Sequence, residues 1–594
     1  MHARINEHSE RPASSLMRDP VWMVALALTM GAAIAVRAWM NFRTPIPGGV
    51  DAGYYAVQAR ALLEHGKLAW TDVPLIFALD AALAKLAMLT LGWSVDDATL
   101  WASRLVDSVG QPLVAVSLFV ATFSWSRGLR SAVPAAVAAT LATTLSAPLL
   151  RMVGDFEKQS LAMAFMAAAW LGLARTMAAT DARQLRVRAA WTMAFFVLTA
   201  LTHAGTFGAA ALGAVFTLTA WAVWSGVSRG RRLPGIAPDM APDMARGIAP
   251  DMARGTLIAG ASGAALLGAI WMLAPLKAQA LIDAPRKLFG GGGDGGGGGD
   301  MGGNMGGGGD MGGGGPGPNG PPLILWLLVV AICATALVWA LRRARATIAD
   351  GALALGLAAT AASLTCPLIH GEYAMRLSII APLPLAFVMA FVMAFVMAFV
   401  LAREPTARRG WRAAVAPMAG VALGIAALAT NAIGGRGGPP LSSPQMISTE
   451  GFAELRGWRD ELAARGTTVV VARHGLEFWA AFALDCDARQ SQLKDSDFDL
   501  YQHRYLLYER HDGSRHDGSR HDGSRRAGPP DGPPGDFAPD RPQRRPPPMG
   551  DPMSAPQLPA SARVFMQGKH FTLYEAPATD GAESARRGGS DLRQ

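Results

Sequence analysis

The chain has 594 residues, of which 51% are hydrophobic and only 17% charged, against roughly 25% charged in an ordinary soluble protein. Lys and Arg exceed Asp and Glu by 9, a balance that can mark a nucleic-acid binder. Here, however, the arginines stand in short clusters between apolar runs, the pattern of membrane topology signals, which sets a nucleic-acid partner aside. Cys333 and Cys366 lie inside apolar runs and Cys486 stands alone, so no disulfide framework or zinc site is indicated.

In chain order, a basic tail over 1–20 leads into an apolar run at 21–40, long enough to stay in the membrane as a signal anchor. Further runs follow near 106–125, 131–150, 160–178, 190–203, 205–225, 256–275, 323–341, 349–369, 377–402 and 413–432. A helix needs about 20 residues to cross roughly 30 Å of hydrocarbon. Every second connection is basic. The set begins with Arg4, Arg11 and Arg18, then Arg127 and Arg130, then Arg183, Arg186 and Arg188. It continues with Arg229, Arg231 and Arg232, then Arg342, Arg343 and Arg345, and ends with Arg403, Arg408, Arg409 and Arg412. The positive-inside rule then puts the N-terminus in the cytoplasm and everything after about residue 433 outside the inner cell membrane.

The segment 74–93 is apolar enough to span but carries Asp80 and Lys85. Spanning would break the alternation, so it reads as a helix on the outer membrane surface, inside a first external loop over 41–105. Residues 290–322 form a glycine-rich external loop, almost pure Gly with Asp and Met up to 315. Residues 236–255 repeat Ala-Pro-Asp-Met, 386–400 repeat Ala-Phe-Val-Met, and 511–525 repeat His-Asp-Gly-Ser-Arg. These repeats read as places that tolerate length change. The alternative is a metal tract from His511, His516 and His521 or the Asp residues of the glycine loop, but flexible ligands with nothing to orient them bind weakly.

Beyond 433 the pattern changes. Phe452, Leu455, Trp458 and Leu462 recur at helical spacing, 467–472 reads as a buried strand, and a second helix follows over 475–484. A Pro-rich insert covers about 511–560, and 564–567 with 571–575 read as a hairpin. The predicted fold class is an all-α polytopic membrane protein of about 11 transmembrane helices over 21–432, with a small extracytoplasmic α/β domain over 433–594.

Three external loops carry chemistry. In the first, Asp51 is followed by Tyr54 and Tyr55, with Arg60, Glu64 and His65 beyond. An acid at a membrane rim can hold a metal or accept a proton; Asp51 can equally cap the helix beginning near Gly53. In the second, Arg151, Asp155, Glu157 and Lys158 crowd into one turn. The acids offer hard oxygen ligands for Mg²⁺ or Mn²⁺, and the bases suit phosphate or neutralise those acids. The plain alternative is an interfacial turn in water. In the third, His370, Glu372, Tyr373 and Arg376 open a span. There an arginine can meet a lipid phosphate or act as a snorkelling anchor. His203, between two spans, is the weakest candidate.

An acid in the first external loop, an acidic cluster in the second and an external C-terminal domain together resemble the GT-C class of membrane glycosyltransferases. That class includes the catalytic subunit of oligosaccharyltransferase, protein O-mannosyltransferases and aminoarabinose transferases. Asp51 with Tyr54-Tyr55 resembles the first-loop acidic motif. The stretch Arg151–Glu157 is similar to an Arg-x-x-Gly-x-x-Asp-x-Glu motif with its acids spaced differently, and Arg376 resembles the late donor-binding arginine.

The resemblance implies a polyprenyl-phosphate-linked sugar donor in the bilayer, inverting transfer to an unknown acceptor on the outer face, and often a divalent metal (Mg²⁺ or Mn²⁺). Asp51, Asp155 and Glu157 would be the catalytic and metal-binding acids. Tyr54, Tyr55, Arg151, Lys158, Glu372 and Arg376 would bind substrate. Where oligosaccharyltransferases carry Trp-Trp-Asp-Tyr-Gly, this chain reads Val470-Val471-Ala472-Arg473-His474-Gly475, so transfer to Asn is not implied. The alternatives are a transporter or lipid flippase, whose ionisable residues sit at mid-membrane in broken helices, and a non-catalytic anchor for the C-terminal module.

The alternation makes a direct prediction. Reporter fusions after Arg127, Asp155, Arg345 and Thr449 should report inside, outside, inside and outside. A cytoplasmic signal at Thr449 would reverse the placement of the C-terminal domain.

Overall fold

The computed structural model describes residues 16, 18–150, 152–230, 347–366, 376–377, 379–403, 445–490, 492–493, 495–510, 558–559 and 561–576. The runs at 256–275, 323–341 and 413–432, the glycine-rich loop, the repeats at 236–255 and 511–525, Arg151, His370, Glu372 and Tyr373 lie outside the described residues. Two compact units divide between Gln445 and Met446.

The first unit is helical. Helix α1 spans Pro20–Phe42, with Pro at its first position and the Asp19 carboxylate accepting from the Val21 amide at 3.0 Å. Helices α2 (Ala52–His65) and α3 (Leu75–Leu91) follow, each ended by a glycine of positive φ, Gly66 and Gly92. Helix α4 (Val95–Gly110) passes through a 3₁₀ turn at Gln111–Leu113 into α5 (Val114–Trp125), because Pro112 cannot donate to a continuous α ladder. The bundle continues as α6 (Val133–Thr144), α7 (Ala147–Leu150), α8 (Glu157–Met177), α9 (Ala182–Thr202), α10 (Ala204–Gly230), α11 (Ile348–Leu364) and α12 (Pro382–Arg403).

Among the described residues five helices are long and apolar enough to cross a membrane: Pro20–Phe42, Val95–Trp125, Glu157–Met177, Ala182–Thr202 and Ala204–Trp224. Shorter apolar helices, Ile348–Leu364 and Pro382–Ala394, fall on two further runs of the sequence. Val24 and Leu28 of α1, Val187 and Trp191 of α9, and Val215 and Val223 of α10 are exposed, an apolar exterior suited to lipid. The column Val95–Trp125 has 31 residues, about 46 Å at 1.5 Å per residue. Hydrocarbon is roughly 30 Å thick, so part of this column stands outside it.

One expected span forms differently. The run at 131–150 breaks after Thr144 and resumes as the single turn Ala147–Leu150. Pro148 is the reason: inside a helix its ring would collide with the Thr144 carbonyl, so it is tolerated only in a first turn.

A buried arginine ties this unit together. Arg37, fully buried near the end of α1, donates from Nη2 to Asp107 Oδ1 at 2.8 Å and Ser160 Oγ at 3.2 Å. Its Nε reaches the Asp107 carbonyl and its Nη1 the Leu149 carbonyl, both at 3.1 Å. Asn41, one turn on, donates to Asp107 Oδ2 at 2.9 Å and Ser108 Oγ at 3.0 Å. Helices α1, α4, α7 and α8 therefore meet on one ion pair.

The second unit holds a five-stranded sheet, order β2-β1-β3-β5-β4. It starts with α13 (Thr449–Gly457) and α14 (Arg459–Ala463), where Leu455 and Leu462 are buried. Strand β1 (Thr468–Ala472) is buried along its length and runs parallel to β2 (Asp487–Gln490) and β3 (His503–Glu509), with Val470 opposite Ala488 and Tyr505. Helix α15 (Leu476–Leu484), buried throughout, makes the crossover from β1 to β2, and α16 (Asp495–Leu500) joins β2 to β3. Strands β4 (Arg563–Gln567) and β5 (Phe571–Glu575) form an antiparallel hairpin with a bulge between Val564 and Met566. Glu454 of α13 accepts from the amides of Lys569 at 2.8 Å and Phe571 at 2.9 Å, satisfying the hairpin turn. His474, just after β1, lies 3.0 Å from Glu477 through Nδ1.

Removing one partner of a buried ion pair strands the other, at a cost of about 3–5 kcal/mol. Asp107→Ala should therefore lower thermal stability in detergent sharply, whereas an exposed-site control such as Arg130→Ala should not. Equal unfolding temperatures for Asp107→Ala and wild type would show that the pair does not hold the bundle.

Candidate functional site

Between α1 and α2 the chain runs as an irregular loop through Pro45, Pro47, Gly48 and Gly49. A second loop, Met152–Phe156, enters α8. The loops press backbone against backbone. Gly49 has φ +115°, and a Cβ there would stand 2.7 Å from the Gly154 carbonyl oxygen and 3.0 Å from Asp155 Oδ1. Gly154 has φ +83°, and a Cβ there would run into the Gly48 carbonyl. Only glycine meets both demands, a conformation that L side chains avoid and a gap too small for one. The Arg37 centre extends to this crossing, because Asp107 Oδ2 also accepts the Gly154 amide at 2.9 Å.

Asp155 joins the loops. Its Oδ1 accepts the backbone N–H of Asp51 at 2.9 Å, and its side chain is buried. Asp51 occupies the N-cap position of α2, yet its side chain makes no capping bond and the residue is half-buried. The capping alternative raised by the sequence is not what the fold uses.

Tyr54, Tyr55 and Lys158 pack inside. Tyr54 donates to Asp72 Oδ2 at 2.6 Å, accepts from Gln58 Nε2 at 2.9 Å and stacks on Trp70 with centroids 5.7 Å apart. Burial, reinforced by the Asp72 charge, holds its phenol well above the ordinary tyrosine range, so it stays a neutral donor. Lys158 pairs with the same Asp72 and lies 5.0 Å over the Tyr54 ring. Tyr55 Oη donates to the Asp155 carbonyl at 3.4 Å. These three side chains hold α2 against α8. Arg60 adds a tie from α2 to Asp96 of α4 at 3.1 Å.

Glu157 and Asp80 form a second acidic feature. Both are buried, at 2% and 0% exposure, and their carboxyls lie within hydrogen-bonding reach of one another. No donor reaches either Asp80 oxygen or Glu157 Oε1. Two buried carboxylates in contact cannot both ionise, so the pair holds a proton between them. Burial pushes the Asp80 carboxyl up to about 8, the bond to Glu157 works against this, and the Asp107 charge adds to it.

A narrow crevice joins these parts, lined among others by Pro47, Ala52, Tyr55, Arg104, Gly154 and Glu157. Its volume of about 10 Å³ admits a water-sized group. Thus Asp51, Tyr54, Tyr55, Asp155, Glu157 and Lys158 gather in one region, while Arg376 is half-buried and lines neither this crevice nor the larger cavity beside it. His203 caps the short turn before α10, its Nδ1 2.8 Å from Thr206 Oγ1. The expected Mg²⁺ or Mn²⁺ site is not assembled: among the described residues no group of three or more His, Cys, Asp or Glu side chains is placed to hold a metal. Asp155 turns one oxygen to a backbone amide, and Glu157 faces Asp80.

Sequence reasoning missed Arg37, Asn41, Asp72, Asp80, Asp107 and Arg104. For the five charged residues the available signal was charge within apolar surroundings, since an ionisable residue inside a span is costly unless partnered; Asn41 carried no such signal.

No family model and no curated protein matches the chain. Among solved structures it is similar to the Archaeoglobus fulgidus oligosaccharyltransferase in complex with Zn and sulfate. The identity is 14% and the TM-score 0.45, over 79% of this chain and 62% of that one. The chain therefore spans less than two thirds of that enzyme. ArnT from Cupriavidus metallidurans is also similar. Its apo state gives 12% identity and TM-score 0.46 over 94% and 98% of the two chains. Its undecaprenyl phosphate complex gives 13% and 0.41 over 79% and 85%. With TM-scores below 0.5, these likenesses decide neither fold nor activity.

The acid pair fixes a pH dependence. The folded Asp80 titrates near 8 against an ordinary value of 3.8, so between those limits the native state binds a proton that the unfolded state has lost. Stability should fall as pH rises through this window, by up to about 1.4 kcal/mol per unit, and level off above it. Asp80→Asn, which mimics the protonated acid, should make this slope shallower in thermal unfolding between pH 5 and 8. Identical slopes for variant and wild type would rule out the shared proton.

Proposed function

We propose that this chain is a membrane glycosyltransferase of the GT-C kind, transferring a sugar from a polyprenyl-phosphate donor to an acceptor on the extracytoplasmic face of the inner membrane. One observation carries the reading: the Asp155 carboxylate holds the Asp51 amide, so acids from two loops distant in sequence meet beside a crevice that their chain neighbours Ala52 and Gly154 line. Five helices long and apolar enough to cross a membrane among the described residues support a bilayer setting, where a lipid-linked donor is at hand.

Asp51 is the general base. It is half-buried, unused as a cap, and set on a backbone that Asp155 fixes from behind. An acceptor O–H or N–H gives its proton to Asp51 as the acceptor attacks the sugar's anomeric carbon. The bond from that carbon to the phosphate oxygen breaks, and the lipid phosphate leaves with the electron pair. Such a single displacement inverts the anomeric centre. Asp155 acts as a positioning residue. No step is assigned to a metal.

Asp51→Asn should lower sugar transfer in membranes by about 10²–10⁴-fold, the usual loss for a positioned base. Accumulation should stay near wild type, because Asn keeps the side chain's shape and suits a helix N-terminus as well as Asp does. Near-normal transfer by Asp51→Asn would remove the centre of this mechanism.

A further inference from the structure

Beside the crevice the first unit opens a larger groove of about 360 Å³, and Arg104 lines both. Phe42 at the end of α1, Trp93 between α3 and α4, and Leu100 and Trp101 on α4 wall the groove. Trp93 and Trp101 meet edge to face at 5.5 Å, and the Arg104 guanidinium stands 5.6 Å over the Phe42 ring. The groove is therefore apolar and aromatic along its length and cationic where it meets the acids.

Arg104 differs from the other buried arginines nearby. Arg37 and Arg60 each face a buried carboxylate, Asp107 and Asp96. Arg104 is only 8% exposed and donates to the Pro45 carbonyl, while its Nε meets no hydrogen-bond acceptor. Among the described residues no carboxylate pairs with it. Asp97 also borders the groove, but it is exposed and held by the Ser94 hydroxyl at 2.6 Å. It sits about 10 Å along the helix from Arg104. A buried guanidinium with unused donors is costly unless an anion completes it, and its planar fork suits phosphate oxygens.

We propose that Arg104 binds the phosphate of the lipid-linked donor at the junction of groove and crevice, and that the aromatic groove takes the first isoprene units of its tail. This rests on the transferase reading and names the donor subsite within it. The phosphate then lies beside the acids of the crevice, so the anomeric carbon attached to it faces Asp51, while the chain leads away along Phe42, Trp93 and Trp101 toward the bilayer.

Binding, rather than transfer, tests this. Full-length protein in nanodiscs would be titrated with a polyprenyl phosphate, the matching polyprenol, phosphatidylglycerol and inorganic phosphate. Wild type should prefer the polyprenyl phosphate. Arg104→Ala should weaken that binding roughly tenfold to a hundredfold, as expected for a lost charge-assisted bond, and leave polyprenol binding unchanged. Arg104→Gln keeps a donor for the Pro45 carbonyl, so the same loss at wild-type thermal stability assigns the effect to charge even where the alanine variant folds poorly. Trp101→Ala should weaken phosphate and alcohol alike. Equal binding of polyprenyl phosphate by wild type and Arg104→Gln overturns the subsite and leaves the transferase reading standing. So does equal affinity of wild type for phosphatidylglycerol or inorganic phosphate. A wild type that binds no polyprenyl phosphate overturns both.

Discussion

The ion pair between Arg37 and Asp107 is the constraint on which the rest of the first unit depends. A guanidinium wholly removed from water needs most of its donors met. Here they are met by Asp107, Ser160 and the Leu149 carbonyl, from three other helices. Satisfying one residue of α1 thus fixes where α4, α7 and α8 end up. The same Asp107 then uses its second oxygen on Asn41 and on the Gly154 amide. The packing of the bundle and the path of the second loop are therefore one problem with one solution.

That solution brings the two loops together closely enough to exclude side chains. Gly49 and Gly154 adopt positive φ where their backbones cross, and Asp155 completes the crossing by holding the Asp51 amide. The energy of this contact is local, but its effect reaches the chemistry, since it fixes the backbone that carries the proposed base. Tyr54, Lys158 and Asp72 brace the same loop from the other side. Lys158 and Asp72 compensate each other within the fold, so among the described residues lining the crevice and groove the cation that remains for an anionic ligand is Arg104.

Charge in this region is graded by burial. Asp107 stays paired with arginine, Asp155 is bonded to backbone, and the deepest acids, Asp80 and Glu157, share a proton. Asp51 alone of these acids is half-buried. A base needs water-like access to an incoming group and a fixed backbone behind it, and Asp51 combines the two. The neighbouring groove supplies apolar and aromatic surface, as an isoprenoid lipid requires.

Length and hydropathy alone determined that the chain is helical and membrane-embedded, because crossing hydrocarbon imposes a run length that composition records directly. Arginine clustering set an expected orientation, and local spacing placed the strand near Val470 and the hairpin before Glu575, since periodicity and turn residues act over a few positions. Asp51, Asp155 and Glu157 stood out for the same reason: charge is scarce at span ends. Which charges face each other was decided only by tertiary structure. Nothing local relates Arg37 to Asp107, Tyr54 to Asp72, or Asp80 to Glu157, because these pairs form between segments whose mutual placement is set by packing. Pro148 broke a run that hydropathy read as continuous, because sterics of the backbone are blind to apolarity. Arg104 looked like an ordinary charge in an amphipathic helix, and only the fold left it beside an aromatic groove without a carboxylate.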